Sequence, residues 1–294
     1  MGRTTRLPAL SPLIADLLLY STVASYFAAT VLFLLHLSGR KSFQTAAPKA
    51  VALVGAGAAL HVAHIIVASM VLRVCPVKGI HFTMSVVSAL ACIVFLAVRF
   101  RYKVDVVGVI VAPVALTFLL ASVVVGRGES ADAGPMKSAI LPLHVLANML
   151  GEALFLLAFA AAVAYLVQER RLKQKRLTGL FQRLPPLDTL DRAEHGFLLA
   201  GFLPLTVGIV TGALWARKVE AGNVVDVWRA AFGYATWGLF ASVLLMRTIG
   251  GWRGRRAAYG TIAGFGFAVA VLLIYLFRTQ SDLGPVAQLV MEPR

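Results

Sequence analysis

With 294 residues, 59% of them hydrophobic and only 14% charged, the chain is too apolar for a water-soluble domain, where about a quarter of residues carry charge. Its formal charge of +15 lies at the ends of apolar stretches, where basic residues orient helices in a bilayer, and this argues against a nucleic-acid-binding surface. Alternating strands of about ten residues, the signature of an outer-membrane barrel, are absent.

A bilayer core requires about 20 apolar residues per helix. On that measure the sequence predicts eight spans, near 13–38, 49–72, 80–99, 104–126, 138–168, 193–216, 224–247 and 257–278. The expected fold is all-α, a polytopic membrane helix bundle forming a single integral membrane domain over 1–294. The first stretch is long for a signal peptide and lacks a small-x-small cleavage site, so it is expected to remain as span one. Cys75 falls in the second connection and Cys92 inside span three, an arrangement unsuited to a disulfide. No CxxC or CxxCH motif occurs, so neither a thioredoxin-like pair nor covalent haem attachment is expected.

Connections 1–2, 3–4, 5–6 and 7–8 share one side and hold 17 of the 28 Lys and Arg residues. The positive-inside rule assigns that side to the cytoplasm and both termini to the outer side. The longest polar segment, 169–192, begins ERRLKQKR and continues LPPLDTLDR. Its first half is expected to extend span five as a basic helix. Pro185 and Pro186 then break it, and Asp188 or Thr189 is expected to cap span six. The glycine-rich hinge GGWRGRRAA at 250–258 predicts an antiparallel hairpin of spans seven and eight. Gly208 with Gly212, and Gly260 with Gly264, form GxxxG pairs that permit close helix packing.

Polar residues inside spans are costly and mark candidate sites. His61 and His64, in LHVAHII, share a helix face and lie roughly 12–16 Å below the outer end of span two. His144, in LPLHVLANMLGE, lies roughly 9 Å below the outer end of span five. Asn148 and Glu152 continue its stripe inward. Neutral imidazole ligates metals and haem iron, so these three histidines are the candidate iron ligands. Arg73, Arg217, Lys218 and Arg229 fall at the outer rim, where haem carboxylates would need cations. His36, His81 and His195 lie at span ends, and Asp16 lies near the start of span one. GxSxG, HExxH, P-loop and dinucleotide motifs are missing, so the expectation is a non-enzymatic protein.

The stretch LPPLDTLDRAEHGFLLAGFLPLTVGIVTGALWA, followed after another span by GWRGRRAAYGTIAGFGF, resembles the C-terminal half of the cytochrome c assembly family. GIHFTMSVVSAL, VIVAPVALTFLLAS and LPLHVLANMLGEALFLLAFAAAVAYLV resemble its middle, in the same order. The resemblance covers roughly residues 50–278. It implies an eight-span bundle with outer termini in the bacterial cytoplasmic (inner) membrane, acting in cytochrome c biogenesis and haem handling. The implied cofactor is haem b. The implied partners are haem, membrane lipid and other cytochrome c assembly or haem-biosynthesis proteins, with no nucleic acid. Members of the CcsA/ResC type bind haem at an outer tryptophan-rich WWD loop flanked by two histidines. Here His144 matches the first outer histidine and His61 an intramembrane one. In place of the tryptophan-rich pattern the chain reads ARKVEAGNVVDVWRAAFGYATW, which keeps Trp215, Asp226 and Trp228, and no histidine follows span eight. The chain is therefore more similar to the HemX/YpjD-like branch. Two other readings remain open: a scaffold for a haem-biosynthesis or assembly partner that binds through 169–192, and a small-molecule transporter that uses Glu152.

Overall fold

The computed structural model describes residues 10–38, 43, 45–72, 80–102, 105–125, 140–175, 185–218 and 224–290. Among these the chain forms eight α-helices and no strand: α1 (Leu10–Leu37), α2 (Ala46–Leu72), α3 (Ile80–Tyr102), α4 (Gly108–Val125), α5 (Ile140–Lys173), α6 (Leu187–Lys218), α7 (Val224–Thr248) and α8 (Arg255–Val290). A 3-10 turn, Asp105–Val107, leads into α4. Seven of the helices are long and apolar enough to cross a bilayer. The remaining one, α7, carries Tyr234, Thr236 and Trp237 between Gly233 and Gly238, which dilutes its apolar character. Cys75 and Arg73 lie outside the described residues.

Helix α5 is the spine. It packs along α6 and also against α3 and α8, while α1 pairs with α2, α3 with α4, and α7 with both α6 and α8. Its sequence explains that position. Ala153, Ala158, Ala160, Ala161, Ala162 and Ala164 are all buried, and small side chains let neighbouring backbones approach on several sides. Larger rings fill the remaining space: Phe155 stacks on Phe240 with centroids 3.7 Å apart, and Phe159 stacks on Phe265 at 4.8 Å. Leu17, Phe27 and Leu34 on α1, Leu203 and Val210 on α6, and Leu273 and Ile274 on α8 point outward. An exposed apolar belt of this kind suits lipid as solvent.

Helix ends follow local chemistry. As expected, α5 runs on into the basic segment to Lys173, where positive charge complements the C-terminal dipole. Helix α6 starts earlier than the apolar pattern suggested. The Pro186 carbonyl accepts from the Thr189 and Leu190 N–H groups at 2.9 and 3.2 Å, so Pro186 occupies the capping position. Asp188 and Thr189 lie inside the first turn. Asp188 forms a 2.6 Å ion pair with Arg192. Arg99 grips Asp105 through two nitrogens at 2.9 and 3.3 Å, tying α3 to the turn before α4.

The hairpin of α7 and α8 forms as expected. Gly251 and Gly254 adopt left-handed φ of 65° and 59° in its hinge. Gly260 and Gly264 lie against Val243 and Phe240, so this GxxxG serves packing alone.

Candidate functional site

The expected site residues fall into separate groups. His61 is fully buried, and both ring nitrogens are engaged: Nδ1 with the Tyr26 hydroxyl of α1 at 3.3 Å, and Nε2 with the Ser85 hydroxyl of α3 at 2.9 Å. The Tyr26 ring meets His61 edge-on at 5.8 Å. Gly57, one turn earlier on α2, makes room for it, since a Cβ there would lie 2.7 Å from Tyr26 ring carbons. His61 therefore joins three helices.

His64 lies beside it, with ring centroids 6.4 Å apart, but is bound differently. Its Nδ1 lies 2.9 Å from the Ala15 carbonyl oxygen of α1. A carbonyl only accepts, so Nδ1 carries the proton, and in the neutral ring Nε2 keeps its lone pair.

His144 repeats this arrangement across the seam of α5 and α6. Its Nδ1–H donates to the Gly208 carbonyl at 2.7 Å, which again leaves Nε2 as the basic nitrogen. The other GxxxG pair creates the space. A Cβ at Gly212 would meet His144 Cε1 at 2.6 Å, and one at Gly208 would overlap the Asn148 amide. Asn148 is held in turn by a 2.9 Å bond from Nδ2 to the His144 carbonyl. Its amide also lies 3.3 Å from His144 Nε2, so any ligand reaching that nitrogen replaces the amide contact. Glu152 lies one turn deeper and is partly buried.

The structure thus brings His61 and His64 together and sets His144 on another seam. Helix α2 packs chiefly on α1 and α3, and α5 on α6, α3 and α8. Among the described residues no group of three or more His, Cys, Asp and Glu is arranged to hold a metal ion. Trp228 is half exposed and lies 6.3 Å from Phe232. Arg217, Lys218, Asp226 and Arg229 fall in the facing ends of α6 and α7, and their side chains lie outside the described residues. His36 Nδ1 donates to the Phe43 carbonyl at 3.2 Å, and His81 lies against Phe82.

A second polar constellation, at the opposite end of α5 and α6, escaped the sequence reading. Arg247 Nη2 donates to both the carbonyl and Oδ1 of Asp191, at 2.6 and 2.8 Å. Its Nη1 faces Glu194 Oε1 at 3.5 Å. That same oxygen accepts from the Thr261 hydroxyl at 2.7 Å, and Asp191 Oδ1 also accepts from the Gly254 N–H at 2.8 Å. Glu194 is fully buried and Arg247 nearly so. The available signal was the i, i+3 spacing of Asp191 and Glu194 at the head of a helix. Arg247 read as an orienting charge because its partners lie about fifty residues earlier.

Comparison with known proteins identifies a family and several relatives. The family model described as cytochrome C assembly protein matches residues 74–281. The cytochrome c biogenesis protein CcsA of Guillardia theta is 30% identical over 207 residues, covering 63% of this chain and 67% of the relative. The CcsA of Microcystis aeruginosa is 28% identical over 233 residues, covering 62% and 70%. That of Heterosigma akashiwo is 28% identical over 240 residues, covering 68% and 72%. With the family model spanning α3 through most of α8, the chain belongs to the cytochrome c assembly protein family.

Proposed function

We propose that this multi-pass membrane protein handles haem b during cytochrome c biogenesis, without itself being an enzyme. In this reading it lies in the bacterial cytoplasmic membrane with both termini outside. Relatives that bear the name cytochrome c biogenesis protein support the process. The observation that carries the haem reading is His144. A proton fixed on Nδ1 by a backbone carbonyl leaves Nε2 basic and oriented, the arrangement expected of an imidazole that ligates a metal. His144 also falls within the family match, whereas His61 and His64 precede it.

The donor chemistry fits haem iron at His144 and at His64, each with its Nδ1 proton held by a backbone carbonyl and Nε2 left as the accepting nitrogen, which at His144 the iron would take over from the Asn148 amide. His61 would enter the ligand set only by giving up Ser85 or Tyr26, and its part in this reading is to hold α2 in place for His64. Arg217, Lys218 and Arg229 would neutralise the haem carboxylates, with Asp226 and Trp228 beside them. Bound haem would supply the iron centre and its redox chemistry. The protein's own contribution is to fix the imidazole tautomers and supply apolar surroundings.

The test is the absorption spectrum of protein purified from haem-replete cells. A Soret band is expected, weakened or shifted in His144→Ala and His64→Ala. Absence of the band, or a band unchanged in both variants, refutes the assignment.

A further inference from the structure

Among the described residues, four buried side-chain atoms lack a hydrogen-bond partner within the protein: Gln168 Oε1, Glu194 Oε2, His195 Nδ1 and Arg247 Nη1. They are not scattered. Along the antiparallel seam of α5 and α6, His144 lies against Gly212, Asn148 against Gly208, and Gly151 against Leu205. Continuing that register places Tyr165 level with Asp191 and Gln168 level with Asp188. Tyr165 supports it directly: its hydroxyl oxygen lies 2.5 Å from where a Cβ of Gly254 would stand, and Gly254 is bonded to Asp191. Glu194 and His195 lie deeper by about 9 Å, at 1.5 Å per residue, and Arg247 reaches Glu194 from α7. Glu194, His195 and Arg247 thus form one group inside the bundle, and Gln168 lies on the adjoining helix nearer its end.

Their chemistry selects the occupant. Gln168 Oε1 accepts, Arg247 Nη1 donates, and Glu194 Oε2 and His195 Nδ1 do either according to protonation. The guanidinium opposes a cation, the two carboxylates oppose an anion, and all four oppose an apolar molecule. Water both donates and accepts, and buried water characteristically serves groups of this kind.

We propose that Gln168, Glu194, His195 and Arg247 line a file of bound water that carries protons between this end of the bundle and the Glu194 carboxyl. The elementary step is the loss of the proton from Glu194 Oε2 to the adjacent water. The O–H bond of the carboxyl breaks, a hydronium proton forms, and a proton leaves the far end of the file beside Gln168. The reverse sequence reprotonates the carboxyl. Asp191 and His195 on α6, Tyr165 and Glu169 on α5, Arg247 on α7, Arg253 in the hinge and Thr261 on α8 are the ionisable or polar neighbours that set its occupancy. The file lies at the opposite end of α5 and α6 from His144 and is independent of haem.

Infrared spectroscopy of the full chain in nanodiscs tests this. The protonated-carboxyl band lost in Glu194→Gln is expected to shift on transfer to D2O as fast as solvent is exchanged. In Gln168→Leu the shift should be about tenfold slower, because one water contact in the file is replaced by an apolar group. A Glu194 band that stays unshifted until the protein unfolds, or the lack of such a band at any pH from acid to alkaline, overturns the proposal. Fast hydroxyl-radical labelling of the unmodified protein provides a second readout that does not depend on a variant folding. Leu190 and Leu198, fully buried on the Glu194 face of α6, should be oxidised several-fold faster than the equally buried Leu119 of α4. Equal rates overturn the proposal.

Discussion

Adding one methyl group at Gly212 should displace His144 without altering it chemically. A Cβ there would stand 2.6 Å from His144 Cε1 and 2.9 Å from Nδ1, whereas relaxed carbon contacts sit at about 3.5–4.0 Å. The ring must therefore withdraw by about 1 Å. Its 2.7 Å bond to the Gly208 carbonyl would then lengthen to about 3.7 Å, beyond hydrogen-bonding range. Losing that bond costs about 1–1.5 kcal/mol, and forcing the extra methyl into a packed seam costs about 1–3 kcal/mol. The better helix propensity of alanine returns about 1 kcal/mol. Gly212→Ala should thus destabilise the protein by about 1–3 kcal/mol, read from unfolding in detergent micelles. In a His144→Ala background the clash is gone, so the same substitution should cost close to nothing, giving a coupling of about 1–3 kcal/mol. Gly266→Ala, with open space around the added methyl, is the control and should be neutral or slightly stabilising. The reasoning fails if Gly212→Ala is as harmless as Gly266→Ala, or equally costly with and without the imidazole.

Two further substitutions probe the other end of the same helix pair. Arg247→Ala leaves the partly buried Asp191 and the fully buried Glu194 carboxyl groups without their guanidinium partner, and breaking a buried pair in this way typically costs about 3–5 kcal/mol. Its unfolding midpoint should fall sharply and recover in part when Glu194→Gln removes one of the stranded carboxyl groups; no recovery would show that Arg247 acts on Asp191 alone. Gly254→Ala meets two obstacles, a left-handed φ of 59° and the Tyr165 hydroxyl 2.5 Å from the new methyl. Tyr165→Phe should relieve only the second, so the double variant should unfold at a temperature between those of the wild type and the single variant.

The helices were legible because length and apolar character alone specify a span, and because basic residues mark their ends. Their detailed limits were less so. The apolar pattern placed the start of the sixth helix near 193, since Asp188, Asp191 and Arg192 read as a polar connection. In the structure these residues are helical; Asp191 turns inward together with Glu194, because Arg247 and Thr261 supply partners, while Asp188 and Arg192 pair with each other at the surface. The partners come from chain segments 56 and 67 residues away, and no local period encodes such pairings. His61 shows the same limit. The sequence puts it on one face with His64, but Tyr26 and Ser85, which occupy its two nitrogens, come from two other helices. The GxxxG spacing was visible at both sites. Only tertiary packing distinguishes Gly260 and Gly264, which admit Val243 and Phe240, from Gly208 and Gly212, which admit Asn148 and His144.

Hydrogen-bond partners, more than depth or helical face, separate the histidines of this bundle. An imidazole bonded through both nitrogens to hydroxyls is a strut. Drawing it onto a metal would leave a buried hydroxyl without a partner, at a cost of about 1–3 kcal/mol. An imidazole that gives its Nδ1 proton to a helix carbonyl faces a much smaller loss, since Nε2 is already deprotonated and the ring already oriented. His64 and His144 meet that condition independently, the first against Ala15 and the second against Gly208. The second is the more fully built, with two glycines in α6 opening the space and Asn148 closing it. On these grounds His144 is the residue on which haem recognition by this chain should depend most.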